Sequence, residues 1–111
     1  MVEKPLFWVG SARRDLRGFR AEARRRAGYE LFLVQQGLLP SDWKPMLAIG
    51  QGVCEIRIHT AVEHRLIYIA RFAEGVYVLH AFEKRGRKTR EHDVALARAR
   101  LAEVVRRRRE G

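Results

Sequence analysis

Between Cys54 and Phe82 the chain reads as three consecutive strands, and no other stretch restricts the fold as much. Cys54, Ile56 and Ile58 alternate with Glu55, Arg57 and His59. That is the two-residue period of a strand with one face toward a core and one toward water. Arg65 to Phe72 (RLIYIARF) is the second strand, and Ala73-Glu74-Gly75 makes a tight hairpin in which Gly75 suits a left-handed residue. Val76 to Phe82 (VYVLHAF) is the third and most apolar, so it is expected to be central. Such a meander can bury its apolar face only against further elements, which the flanking segments must supply.

Upstream, Leu6-Phe7-Trp8-Val9 follows Pro5 and reads as a first strand at a sheet edge. Gly10-Ser11 breaks it, with Ser11 placed to cap a helix. Leu16, Phe19, Ala23, Ala27, Leu31 and Val34 then recur at gaps of three and four, the helical period, and Gly18 divides the stretch into a short helix and a longer one. A glycine signal at Gln36-Gly37 ends it. Leu38 to Gly52, punctuated by Pro40, Pro45, Gly50 and Gly52, reads as a loop pinned by Trp43, Met46 and Leu47. Downstream, Thr89 is placed to cap a last helix with the stripe Val94, Ala97, Leu101 and Val104. The order predicts an α+β fold: a small antiparallel-rich sheet packed with N-terminal helices and a C-terminal helix, the helices on one face. The 111 residues suit one domain spanning 1–111.

Charge narrows the function. The chain carries 23 Lys and Arg against 13 acids, a net +10. From Lys84 to Gly111 there are 11 basic and 4 acidic residues, so the last quarter alone has a strong positive field. Arginine dominates, and its planar fork suits phosphate. Nucleic acid is therefore the default partner, with a solubility device as the plainer alternative. A lone Cys54 excludes an intrachain disulfide and a multi-cysteine zinc site, and points to a reducing cytoplasm. No apolar run is long enough for a membrane span, and the first residues lack the pattern of a signal peptide. No metal-ligand cluster or glycine-rich nucleotide loop stands out, so no cofactor is expected.

Several short segments, in one collinear order, carry a family resemblance. They are Lys4-Pro5-Leu6 with Trp8, Ala27-Gly28-Tyr29, Asp42-Trp43-Lys44-Pro45, Glu55-Ile56-Arg57, Arg65-Leu66-Ile67-Tyr68, and Leu79 to Lys84 (LHAFEK) running into Arg85 and Lys88-Thr89. Together they resemble the RelE/ParE toxin superfamily, above all its phage-derived HigB-like branch. That branch has a proline after the Lys-Thr pair where this chain has Arg90. The resemblance implies a RelE-like fold and the toxin of a type II toxin-antitoxin system, an endoribonuclease cutting message on the ribosome. It also implies an antitoxin partner with a helix-turn-helix domain (HigA-like), expected to cover the basic groove, the terminal helix or both. ParE-like relatives share the fold and inhibit DNA gyrase, and a noncatalytic basic RNA- or DNA-binding domain is a third reading.

Metal-independent RNA cleavage uses the 2′-hydroxyl as nucleophile. It needs a proton taken from that oxygen, a proton given to the 5′ leaving oxygen, and positive charge on the phosphate. The resemblance places Arg57, Arg65, Lys84 and Arg85 in one groove. Arg57 and Arg65 would clamp the phosphate, Lys84 or Arg85 would stabilise charge or protonate the leaving group, and Arg87, Lys88 and Arg90 would hold RNA. The plainer readings are a solvated Arg57 paired with Glu55 or Glu63, a turn-flanking Arg65 and a nonspecific basic run. Among the histidines, His59 shares the Arg57 face and is first choice for acid–base work. His80 reads as a buried, hydrogen-bonded core residue, and His64 (at a turn) and His92 as bystanders. Tyr68 reads as sheet packing, and Arg106 to Arg109 as a contact to rRNA or, the preferred reading, a frayed, solvated end.

Overall fold

The computed structural model describes residues 3–86 and 91–111. Arg87, Lys88 and Arg90, expected to hold RNA, and the expected cap Thr89 lie outside the described residues. The elements are β1 (Leu6–Trp8), α1 (Ala12–Arg17), α2 (Ala21–Gln35), β2 (Trp43–Pro45), β3 (Val53–His59), β4 (Glu63–Ile69), β5 (Val76–Glu83) and α3 (Glu91–Glu110). The fold is α+β. Five strands form one sheet in the order β1-β5-β4-β3-β2. β1 runs parallel to β5 and the other three pairings are antiparallel.

The meander forms as its alternation predicts, but β4 rather than β5 is the middle strand, because β1 adds outside β5 and β2 outside β3. β4 is also the most thoroughly buried strand. Its successive residues Leu66, Ile67, Tyr68 and Ile69 are all buried, which requires cover on both faces. Leu66 and Tyr68 join Ile56, Ile58, Val76 and Val78 under Leu16, Phe19, Ala27, Leu31 and Val34 of the α1–α2 region. Ile67 and Ile69 join Val53, Leu79, Met46 and Ile49 under Ala97 and Val104 of α3. Helices therefore cover both faces, not the one face expected from the element order, and the continuous apolar run in β4 is the sequence mark of that.

Gly18 does divide the helical stretch, as the C-cap of α1. Ser11 occupies the N-cap position without making a cap bond; its hydroxyl donates instead to the Asp15 carboxylate at 2.6 Å. α2 closes on Gly37 (φ +80°). There the Leu38 N–H reaches the Leu33 carbonyl and the Gly37 N–H the Val34 carbonyl, the paired bonds of a Schellman end.

Three local expectations are corrected. Residues 43–45 form edge strand β2 rather than loop, with Lys44 opposite Glu55; an outer edge tolerates Pro45, which has no N–H to donate. Gly75 is not left-handed, since the positive-φ glycines among the described residues are Gly10, Gly37, Gly52 and Gly86. It is small because a Cβ there would lie 2.6 Å from the Phe7 ring and 2.7 Å from the Pro5 carbonyl oxygen. Arg106 to Arg109 are helical, not a frayed tail. Arg106 and Arg107 pair with Glu103. Arg108 pairs with Glu74 and lies 3.8 Å from the Phe72 ring centroid, so the end of α3 is tied to the β4–β5 hairpin.

Candidate functional site

Register explains how the charges meet. On β3 the alternation puts Glu55, Arg57 and His59 on the face that α3 partly covers. The pairing sets Arg57 directly opposite Arg65 and His59 opposite Glu63 on β4. Like charges in that position repel. Glu55 resolves the conflict: one carboxylate oxygen lies 3.6 Å from the Arg57 Nε and 3.7 Å from the Arg65 Nε. Glu55 was expected on the wet face and is instead 1% exposed, buried between the two arginines.

Arg65 is no turn-flanking solvent charge either. It is buried, with Nη1 donating to Glu63 at 3.0 Å and to the His64 carbonyl at 3.0 Å. Arg57 keeps a third of its side chain in solvent and has Nη1 4.0 Å from Asp42. The two arginines therefore differ: Arg65 builds the floor of the site and Arg57 presents charge to it.

His59 is exposed and held between carboxylates, with Glu63 at 2.8 Å from Nδ1 and Asp42 on Nε2. These hydrogen bonds, Asp42 first and Glu63 second, raise its pKa and favour the imidazolium. Burial works to raise the Glu63 pKa, but hydrogen bonds from His59 and Arg65 prevail and hold it low.

Lys84 follows β5, with its N–H donating to the Glu63 carbonyl at 2.8 Å. Its amine has a lowered pKa, first through burial and then through the positive charges of Arg65, Lys44 and Arg57, with Glu55 opposing. The structure thus brings together Arg57, Arg65, Lys84 and His59 from three strands. Arg85, the next residue after Lys84, is 72% exposed and pairs with Glu83 at 3.4 Å.

Sequence reasoning missed Lys44, Asp42 and Glu63 as members, and the organising role of Glu55. The segment Asp42-Trp43-Lys44-Pro45 had been noted only for resemblance. Reading it as a strand beside Glu55 would have placed Lys44 and Asp42 at the site.

The remaining candidates fall elsewhere. His80 is buried, donates from Nε2 to Asp93 at 2.7 Å and stacks on Phe82, the core role expected. Burial, chiefly, pushes its pKa down against the pull of Asp93, so it is read as neutral imidazole. His64 lies within β4 rather than at a turn; it is buried against the Phe19 ring and its Nδ1 bonds the Val62 carbonyl. His92 is exposed on the first turn of α3. Tyr68 is core, as expected. Among the described residues no group of three or more His, Cys, Asp or Glu side chains is arranged to hold a metal ion. Among them, too, no helix is long and apolar enough to cross a membrane.

A five-stranded sheet covered by helices on both faces, bearing a mixed cluster of Arg, Lys and carboxylate side chains, defines the chain as a small α+β protein. A family model described as Phage derived protein Gp49-like matches residues 14–102, and the chain belongs to that family. The family is toxin-like, of the RelE/HigB type. No curated protein matches the chain.

Proposed function

We propose that this protein is the toxin of a type II toxin-antitoxin pair, of the HigB-like branch. On this reading it is a ribosome-dependent endoribonuclease that cleaves message by attack of the 2′-hydroxyl. The observation that carries the reading is the convergence of Arg57 and Arg65 on one buried carboxylate, with Lys84 tied by its N–H to Glu63 beside them and its amine pKa lowered by burial and by those arginines. Phosphate bound there meets fixed positive charge, and a lysine with a depressed pKa gives up its proton more readily than an ordinary one.

In this mechanism Arg57 engages the scissile phosphate and Arg65, through Glu55, fixes its position. The 2′-oxygen attacks phosphorus, and its proton passes to a carboxylate of the Asp42–His59–Glu63 group. The P–O5′ bond breaks and Lys84 protonates the departing 5′-oxygen, leaving a 2′,3′-cyclic phosphate and a 5′-hydroxyl. His59, first choice for acid–base work, has its pKa raised by Asp42 and Glu63, and here it adds positive charge beside the phosphate. Arg85 takes no part, while Arg87, Lys88 and Arg90 extend the RNA contact. A helix-turn-helix antitoxin of the HigA type silences the protein in the cytoplasm.

The test is inducible expression in a bacterium with primer extension on a reporter message, comparing wild type with Arg57→Ala and Lys84→Ala. Discrete in-frame cuts that both variants lose support the reading. Growth arrest with DNA breaks and an SOS response, but intact message, would replace it with gyrase inhibition. Salt-dependent RNA binding without cleavage would replace it with a binding module.

A further inference from the structure

The outward side of α2 carries a surface that neither the core nor the cationic site uses. Ala23, Ala27, Glu30, Leu31 and Val34 turn inward. Tyr29 and Phe32 are 58% and 47% exposed, and Leu38 and Leu39, just past the helix end, are 56% and 67% exposed. Four of the six exposed large hydrophobic side chains among the described residues thus gather on this helix and its exit. Scattered exposed apolar residues need no account, but an aromatic pair continuing into two leucines does.

Their spacing specifies the shape of what would cover them. Arg25, Tyr29, Phe32 and Gln36 follow at intervals of four, three and four, the seam spacing by which one helix receives another. Charge specifies its chemistry. Arg17, Arg20, Arg24, Arg25 and Arg26 are all exposed. Among the described residues none of these five forms an ion pair. Of the three acids on α1 and α2, Glu30 is buried and accepts from the Ser41 N–H, Asp15 is engaged by Ser11, and Glu22 alone is exposed, against five arginines. The surface is therefore an apolar seam flanked by free positive charge.

We propose that the outward face of α2 docks an acidic amphipathic helix of a partner protein. Nucleic acid suits the seam less well, because Leu38 and Leu39 offer no π-face for bases to stack on. α2 covers the sheet face opposite the one that bears Arg57, and among the described residues Arg26 alone of these five arginines reaches the rim of the cationic site, at the His59 carbonyl. Docking on α2 differs from the expectation that a partner covers the basic groove. The inference does not depend on the nuclease reading.

The probe is a labelled synthetic helix of about three heptads, with leucine at the seam positions and glutamate elsewhere, followed by fluorescence anisotropy on the full chain. The wild type should bind it, more weakly as salt rises. Tyr29→Ser/Phe32→Ser should weaken binding roughly tenfold or more, and Arg25→Glu should also weaken it. Leu47→Ser and Lys84→Ala should leave it unchanged, and thermal unfolding of each variant should match wild type. No binding by the wild type, or equal binding after the double substitution, overturns the proposal. So does a double variant that loses affinity for single-stranded RNA, which would assign the seam to nucleic acid. A wild-type dimer in sedimentation that the double variant abolishes would assign it to a second copy and equally overturn it.

Discussion

Glu55→Gln keeps the shape of a buried side chain and removes its charge, which tests whether one carboxylate holds the arginine pair together. At separations near 4 Å and an effective dielectric of about 20, each ion pair is worth about 4 kcal/mol before desolvation. Breaking a buried pair costs about 3–5 kcal/mol, because the remaining charge stays buried without compensation. Here Arg65 is buried and directly opposite Arg57, so the loss also exposes their mutual repulsion. Arg57 keeps a third of its side chain in water, which places the expected loss near the lower end, about 3 kcal/mol. With an unfolding entropy of roughly 2.1 cal/mol/K per residue over 111 residues, that lowers Tm by about 13 °C. The assay is thermal and urea unfolding of wild type, Glu55→Gln, Arg65→Met and the pair Glu55→Leu/Arg65→Met. The last, which replaces the ions by apolar groups, should recover to within about 1.5 kcal/mol of wild type. A Glu55→Gln variant melting within about 3 °C of wild type would refute the reasoning.

The remaining expectations concern pH, packing and the end of α3. If Lys84 donates the leaving-group proton, message cleavage should fall with rising pH at a midpoint below that of an ordinary lysine. Lys84→Arg should remove that descending limb, as read in single-turnover rates. His80 is held neutral by burial, whereas an unfolded histidine takes up a proton near pH 6.5. Its contribution to stability is therefore full above that pH and lost as pH falls below it through the lower folded value. His59 has a raised pKa, so its contribution is full below about pH 6.5 and lost as pH rises through its folded value. Urea midpoints from pH 5 to 8 should thus change slope in opposite senses in His80→Phe and His59→Gln. Gly75→Ala would push a methyl into Phe7 and the Pro5 carbonyl, and should cost about 1–3 kcal/mol in urea unfolding. The Arg108 hydrogen bond, chiefly, holds the Glu74 carboxyl down to about 2; in Arg108→Gln an NMR titration should find it returned toward the ordinary glutamate range.

What was legible in the sequence followed from periodicity, and what was not followed from pairing. The alternation around Arg57, the helical gaps from Leu16 to Val34 and the stripe from Val94 to Val104 each describe one element facing its own core, and each formed. The buried state of Glu55 depends on Arg65, ten residues away on the neighbouring strand, and a one-strand pattern gives no sign of it. Likewise Pro45 argued for a loop until the outer side of β3 is seen to accept it. Gly75 gave the right residue for a different reason: the constraint is the approach of Phe7 from a strand nearly seventy positions earlier. The resemblance pointed to Arg57, Arg65 and Lys84, and the strand alternation to His59, which shares the Arg57 face. Lys44, Asp42 and Glu63 were missed because they act through partners rather than through a motif.

The parallel pairing of β1 with β5 sets a timetable for the emerging chain. Leu6 pairs with Val76 and Trp8 with Val78, so the first strand made has no place in the sheet until the last strand has been synthesised. Until then Leu6, Trp8 and the apolar side of α1 lack the strand they are to cover, and contacts at such separation form slowly. Arg57, Arg65 and Lys84 share that delay, since their register depends on β4 joining both β3 and β5. A chain halted before about residue 84 would therefore carry neither a closed sheet nor an assembled cluster. The cluster is thus a late product of synthesis: its charges meet only once residue 84 has been made and β4 has joined both of its neighbours.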